Sequence, residues 1–316
     1  MYIPFVMKDI KQLILCALLV TLSLGAHAEV LFVENFDYTS GSTLMAANSE
    51  WFHQWEGHEN SMLITDEGLT FDGYAGSGIG KALLIEGDHS NDEPHHVFKK
   101  VTSGDVWVAL LLKPTYVVKR GYLLTLRDDK IDKNTFNQCG RIFLDWDYFG
   151  EEPNEEIHPI IGARVYKTAD EVYAEDVPLD ESKTYLVVLR YCIVPDANNE
   201  VSLYLFDKMP KVLPEKPLVG PLTDPKAPDI EPAHVVLHTW NASLGEAGEV
   251  TIDGLRIATT FHEALGISDT PDPEPDPEGI SNVAAQQPAF SLQLRNGQLV
   301  LTNGEKTYNL LGTKIE

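Results

Sequence analysis

Between residues 30 and 261 the chain repeats one device: short runs of β-branched and aromatic residues, alternating with period two and separated by turn formers. The clearest runs are 30–36, 83–86, 96–101, 106–112, 122–127, 141–146, 160–166, 185–194, 201–206, 235–240 and 250–260. Helical periodicity is nearly absent. The pattern therefore predicts an all-β fold, a sandwich of two antiparallel sheets. In Val201-Ser202-Leu203-Tyr204-Leu205 one face is aliphatic and the other half-polar, as expected where one side of a sheet packs on a second sheet. Leu186-Val187-Val188-Leu189 is apolar on both faces and reads as a central strand.

Other segments mark the ends of this body. Lys8 and Lys11, the apolar stretch 13–24 and Ala26-His27-Ala28 read as a secretory signal over 1–28. That stretch is too short to cross a membrane core, which takes roughly 20 residues of helix, so a retained anchor is disfavoured and the mature chain is expected to have no span. Lipidation at Cys16 is disfavoured by the bulky Leu15 before it. Seven prolines at 210, 214, 217, 221, 225, 228 and 232 predict an irregular crossover over 207–232. The sandwich is expected over 29–266. Alternating proline and acid in 268–278 marks a stiff, self-repelling linker over 267–289. After it, 290–316 carries short alternating segments joined at Asn296-Gly297 and Asn303-Gly304, a small β element too short for an enzyme domain.

The 316 residues hold 24 Lys+Arg against 48 Asp+Glu, a formal net charge of -24. Such a surface repels phosphate backbones and anionic membranes, which argues against a nucleic-acid partner. After loss of the signal, Cys139 and Cys192 remain and read as structural thiols or one optional bridge.

Several strings resemble the secreted concanavalin A-like (LamG-like) jelly-roll proteins of the Bacteroidota. They are Glu34-Asn35-Phe36-Asp37-Tyr38 with Gly41-Ser42-Thr43-Leu44, Gly68-Leu69-Thr70-Phe71-Asp72-Gly73-Tyr74 with Ser77-Gly78-Ile79-Gly80, and Gly140-Arg141-Ile142-Phe143. Thr184-Tyr185-Leu186-Val187-Val188-Leu189-Arg190-Tyr191, Glu200-Val201-Ser202-Leu203-Tyr204 and Ile252-Asp253-Gly254-Leu255-Arg256-Ile257 complete the match. The resemblance implies a two-sheet jelly roll, exported and commonly non-catalytic. The last residues, 307–315, are similar to part of a type IX secretion sorting tail, although such tails usually continue for another hairpin. Delivery to the cell surface or outside the cell is expected, with the periplasm as the alternative.

Three groups of residues carry candidate chemistry. Glycosidases of this fold place paired carboxylates on one strand face, about 5 to 5.5 Å apart in retaining enzymes. Asp145 and Asp147 share a face by period two, while Glu151 lies beyond Gly150, so solvated hairpin acids are the competing reading. Trp146 then points to the opposite face, into the core. The cluster Asp88, His89, Asp92 and His95 offers oxygen and imidazole donors without zinc or calcium spacing. If a metal binds there, the acidity favours Ca2+ in a structural role; a polar loop is the alternative. Trp51, His53 and Trp55, flanked by Asn48, His58 and Asn60, read as a loop whose rings stack on a sugar, against burial as the default for tryptophan.

The chain holds no nucleophile elbow, phosphate loop or metalloprotease helix motif. The expectation is an exported, non-catalytic jelly-roll module for carbohydrate binding, adhesion or surface assembly, with a glycan or a cell-surface protein as partner. A glycoside hydrolase of the same fold and a structural partner-binding module are the alternatives.

Overall fold

The computed structural model describes residues 28–53, 60–87, 92–117, 119–130, 137–149, 156–239 and 248–267, together with the strand backbones of 290–295, 298–303 and 306–309. The chain divides into two units, 1–269 and 270–316.

The first unit contains β1 (Val30–Glu34), β2 (Leu63–Ile64), β3 (Leu83–Glu86), β4 (His95–Val97), β5 (Gly104–Val117), β6 (Gly121–Arg127) and β7 (Gln138–Phe149). It continues through β8 (Glu156–Tyr166), β9 (Val172–Tyr173), β10 (Tyr185–Ile193), β11 (Glu200–Phe206), β12 (Val219–Thr223), β13 (His234–Leu237) and β14 (Gly248–Ala258). Eight of these strands form one sheet in the order β12-β11-β10-β5-β14-β3-β2, with β1 also paired to β14. Six form the other, β4-β13-β6-β7-β8-β9. The pairings are antiparallel, so the protein is a two-sheet jelly-roll sandwich.

The core lies between the sheets. Val108, Leu110, Val187, Leu189, Leu203 and Ile257 face Leu124, Leu126, Ile142, Leu144, Ile161 and Val235. In β10 the alternate residues Leu186 and Val188 join a second apolar cluster, with Trp107, Phe71 and Phe261, on the outer face of the eight-stranded sheet. That is why this strand is apolar on both sides. The cover is the 68–80 segment and the short helix α2 (Phe261–Leu265), which follows the even shorter α1 (Leu44–Ala47) in the chain. The Thr260 hydroxyl caps α2 by accepting from Glu263 N–H, and Gly266 closes it in a left-handed conformation.

A bulge in β14 lets one strand edge serve two neighbours. Residues 249–252 pair with β3, residues 255–258 with β1, and the register slips between Asp253 and Arg256. Gly254 takes φ +56 there, and a Cβ on it would stand 2.5 Å from the Gly76 carbonyl oxygen. A glycine is required on both counts.

Two expectations are corrected. The proline-rich crossover contains β12, paired to β11 through Leu222 and Thr223, with Pro221 inside the strand. β12 is the edge of its sheet, where only one side of the strand must supply ladder donors, so proline is tolerated. Trp146 is half-buried rather than core, because β7 outruns β6: the pairing with β6 ends at Leu144, while the pairing with β8 continues to Phe149. Trp146 therefore packs edge-on against the exposed Tyr148, on a two-stranded extension past the sandwich. Cys139 and Cys192 are free thiols, the first of the two readings expected for them; Cys139 is in the core, and burial pushes it above its ordinary pKa.

The second unit has a three-stranded antiparallel sheet, β15 (Phe290–Arg295), β16 (Gln298–Asn303) and β17 (Lys306–Asn309). The linker residues 268–289 lie outside the described residues. No described helix is long and apolar enough to cross a membrane.

Candidate functional site

Alternation decides what the six-stranded sheet shows to the outside. In β7, Ile142 and Leu144 enter the core, so Arg141, Phe143 and Asp145 turn outward. In β13, Val235 and Leu237 enter the core, so His234 and Val236 turn outward, with His238 following on the same side. β8 contributes Gly162 and Arg164. A Cβ on Gly162 would stand 2.6 Å from the ring of Tyr173, so this glycine seats the tyrosine of β9 against the sheet.

Of the seven arginines in the sequence, four (Arg120, Arg127, Arg141 and Arg164) gather on this face. Three stand over rings. The Arg141 guanidinium is 4.5 Å from the Tyr122 ring centre, Arg164 is 5.4 Å from Phe143, and Arg120 is 5.3 Å from Tyr173. Such pairs combine cation–π attraction with stacking. Tyr122 also stacks on His238 at 3.9 Å.

Carboxylates balance some of these cations. Asp145 accepts from Arg120 Nε at 2.8 Å. Glu171 lies 3.3 Å from Arg164 and 3.5 Å from Arg120, and accepts from the Tyr173 hydroxyl at 2.9 Å. Glu93 accepts the Tyr122 hydroxyl and lies 3.5 Å from His238 Nε2. Arg141 differs. It donates to the Gln138 amide oxygen, but among the described residues no carboxylate lies within 4.0 Å of it and its Nε has no acceptor.

Burial sets the protonation states. It pulls His238 down to about 4, against the pull of Glu93, so the imidazole is neutral at neutral pH. Burial, then Glu93, pushes the Tyr122 phenol well above its ordinary value. Burial also pulls the Arg141 guanidinium down, while the Asp145 hydrogen bond raises Arg120.

The structure disperses the residues singled out from the sequence. Asp145 is on the face just described but is engaged by Arg120 and by its neighbour's Trp146 N–H. Asp147 accepts the Tyr148 N–H at 2.8 Å. Glu151 lies outside the described residues. Asp145 is thus ion-paired with a guanidinium, while Asp147, among the described residues, bonds only its neighbour's N–H.

The aromatic platform is corrected at Trp51, which is 1% exposed. Its indole N–H donates to the buried Glu34 carboxylate at 3.0 Å, and that partner permits full burial of a polar-edged ring. Trp55 lies outside the described residues, and His53 stands 2.7 Å from Asp92. Asp92 is a buried staple. It accepts from Ser61 N–H at 2.6 Å, the Ser61 hydroxyl at 2.8 Å and Met62 N–H at 3.3 Å. Burial would raise its pKa, but His53 and Ser61 outweigh that and hold it below the usual carboxylate value. Those bonds occupy the oxygens a metal would need. His95 packs between Phe52 and His234, at 6.0 and 6.1 Å. Asp88 and His89 lie outside the described residues, and no group of three metal-binding side chains occurs among those that are described.

The sequence reading missed Tyr122, Gln138, Arg141, Arg164, Tyr173 and His238. Alternation placed Arg141 with Asp145; the cross-strand neighbours had no such signal.

No protein-family model matches this chain, and no curated protein does. Among solved structures it is similar to a mutant of alginate lyase Aly36B in complex with alginate trisaccharide, at 9% identity and a TM-score of 0.43, over 72% of this chain and 97% of that one. It is also similar to the cellulose induced protein Cip1, at 14% identity and a TM-score of 0.41, over 72% and 97%. A third is endo-β-1,4-glucuronan lyase from the fungus Trichoderma reesei, at 12% identity and a TM-score of 0.39, over 73% and 98%. These likenesses concern the fold.

Proposed function

We propose that this chain is an exported carbohydrate-binding jelly-roll module whose ligand lies on the outer face of the six-stranded sheet. The observation that carries the reading is the row of three arginine–ring pairs, Arg141 with Tyr122, Arg164 with Phe143 and Arg120 with Tyr173. A merely solvated sheet face needs short polar side chains. Sugars need oriented, forked donors for their oxygens, and this face supplies them on guanidinium groups seated over rings. Binding is favoured over hydrolysis because Asp145 is paired with Arg120.

In this reading residues 1–28 direct export, and 290–316 serves as a sorting element at the cell surface of a type IX secretor. Mass spectrometry of the protein recovered from its host tests both, by the first residue of the mature chain and by the fraction that holds it.

The binding test is a glycan array probed with the mature chain and with Tyr173→Ala, which removes the ring under Arg120. Saturable binding that the variant weakens at least about tenfold supports the reading, since stacking and oriented donors act together. Absence of binding to both neutral and acidic glycans overturns it.

A further inference from the structure

Charge matching on the outer face is incomplete at one place. Arg120 meets Asp145 and Glu171; Arg164 meets Glu171 and donates from Nε to the Ala169 carbonyl at 2.8 Å. Arg120 is 61% exposed, so water could have served it as well. Arg141 is 8% exposed and yet, among the described residues, meets only the Gln138 amide oxygen and the Tyr122 ring. Its Nε is buried without an acceptor. The nearby acid Glu93 is engaged by the Tyr122 hydroxyl and by His238. A buried guanidinium with no anion beside it among the described residues is the costly half of a salt bridge, and an anion brought by a ligand would offset that cost.

We infer that Arg141 is the seat of a ligand carboxylate, so that the saccharide bound on this face carries uronate residues. This rests on the saccharide reading above and narrows it. Three features of the surroundings fit a single carboxylate. The guanidinium is a planar fork that matches a carboxylate in its own plane. His238, stacked on the ring that Arg141 covers, is a neutral group at neutral pH, so it sits beside the guanidinium without adding charge. The chain as a whole carries -24, which penalises groups of higher charge density such as phosphate esters or clustered sulfates. One buried cation facing one carboxylate overcomes that field locally; a polyanion of greater density does not.

The test uses the mature chain and matched polymers that differ only at the acidic group. One series is galactan, polygalacturonate and its methyl ester; the others are the mannose and glucose counterparts. Affinities are read by calorimetry for the unaltered chain, Arg141→Gln, Arg141→Lys and Arg120→Gln. In the series that binds, the uronate form is expected to bind at least about tenfold tighter than its methyl ester, the scale of one charge-assisted bidentate contact. Arg141→Gln removes that preference, so that acid and ester bind within about twofold of each other, and Arg141→Lys restores only part of it, because a point charge replaces a fork. Arg120→Gln, at a guanidinium already matched, changes the preference less.

Equal binding of the neutral, esterified and uronate forms overturns the inference and leaves the saccharide reading standing. So does a sulfated polymer that binds as tightly as the uronate. If Arg141→Gln fails to fold, the comparison of acid with ester on the unaltered chain decides the matter by itself. Binding of none of these polymers overturns the reading and the inference together.

Discussion

The two sheets share one core and present opposite outer faces, and the faces are built on different rules. The eight-stranded sheet is closed by apolar cover: Trp107, Leu186, Val188 and Tyr204 lie under Phe71, Tyr74 and the residues of α2. Its buried carboxylate, Asp253, accepts two backbone N–H groups, Leu69 at 2.7 Å and Gly254 at 2.6 Å, and so fastens the 68–80 segment to the bulge. The six-stranded sheet carries guanidinium groups, rings and a neutral histidine, and the acids among them, Glu93 and Glu171, face side chains instead. An acid that serves backbone donors fixes a cover. An acid that serves arginines orients groups around a place left for something else.

The largest expected difference between the faces comes from the clasp. Gly254→Ala places a methyl group 2.5 Å from the Gly76 oxygen at φ +56. Backbone strain and overpacking together cost about 4 kcal/mol, read as a fall in the urea midpoint at unchanged slope. Gly104→Ala is the control, since it shares a positive φ of +80 but has nothing within 4 Å, and only the backbone cost of about 1 kcal/mol applies. Equal losses in the two variants would show that close approach at Gly76 is not what holds the cover.

How much of this was legible depends on the range of the interaction. Period two is a local signal, and it located eleven runs that the structure builds as strands, including the both-faces-buried β10. β2 and β9 have two residues each, too few to show a period. Trp51 shows the limit of local reasoning. Polar neighbours in sequence suggested an exposed ring, whereas the residue that decides its burial is Glu34, seventeen positions away. The candidate site fails to announce itself for the same reason. Arg141 and Tyr122 come from two strands, His238 and Glu93 from connecting segments, and no spacing along the chain encodes their meeting.

The faces are also expected to respond to pH in opposite senses. Burial holds Asp253 up at about 7, against the pull of its two N–H donors. Its folded pKa exceeds the unfolded value, so its stabilisation is present in full below about 4 and is lost as pH rises towards 7. His238 is depressed to about 4 by burial. The unfolded chain binds the extra proton first, so its contribution is full above about 6.5 and is lost as pH falls towards 4. The shifts correspond to about 4 kcal/mol for Asp253 and about 3 kcal/mol for His238 over their windows, since one pKa unit is worth about 1.4 kcal/mol. Denaturation across pH for Asp253→Asn and His238→Gln separates the two. The stability lead of the unaltered chain over Asp253→Asn should shrink as pH rises from 4 to 7, and its lead over His238→Gln should grow. Leads of the same sign in both variants would break the distinction between a proton-retaining clasp and a proton-refusing site.

The smallest effect concerns the acids that sequence reasoning offered as a weak catalytic pair. Asp145→Asn removes the partner of Arg120, a guanidinium largely in water, so stability should change by no more than about 0.5 kcal/mol. The loss of one negative charge beside the arginine row should leave acidic saccharides bound as tightly or up to about twofold tighter, in the direction that local electrostatics require. Asp147→Asn, which loses only a contact to its neighbour's N–H, should do less on both counts. The outcome that would reverse this ordering is hydrolysis of a glycan by the unaltered chain that either substitution abolishes. In that case ligand binding must draw Asp145 away from Arg120, and the carboxylates would be acting on the substrate instead of framing it.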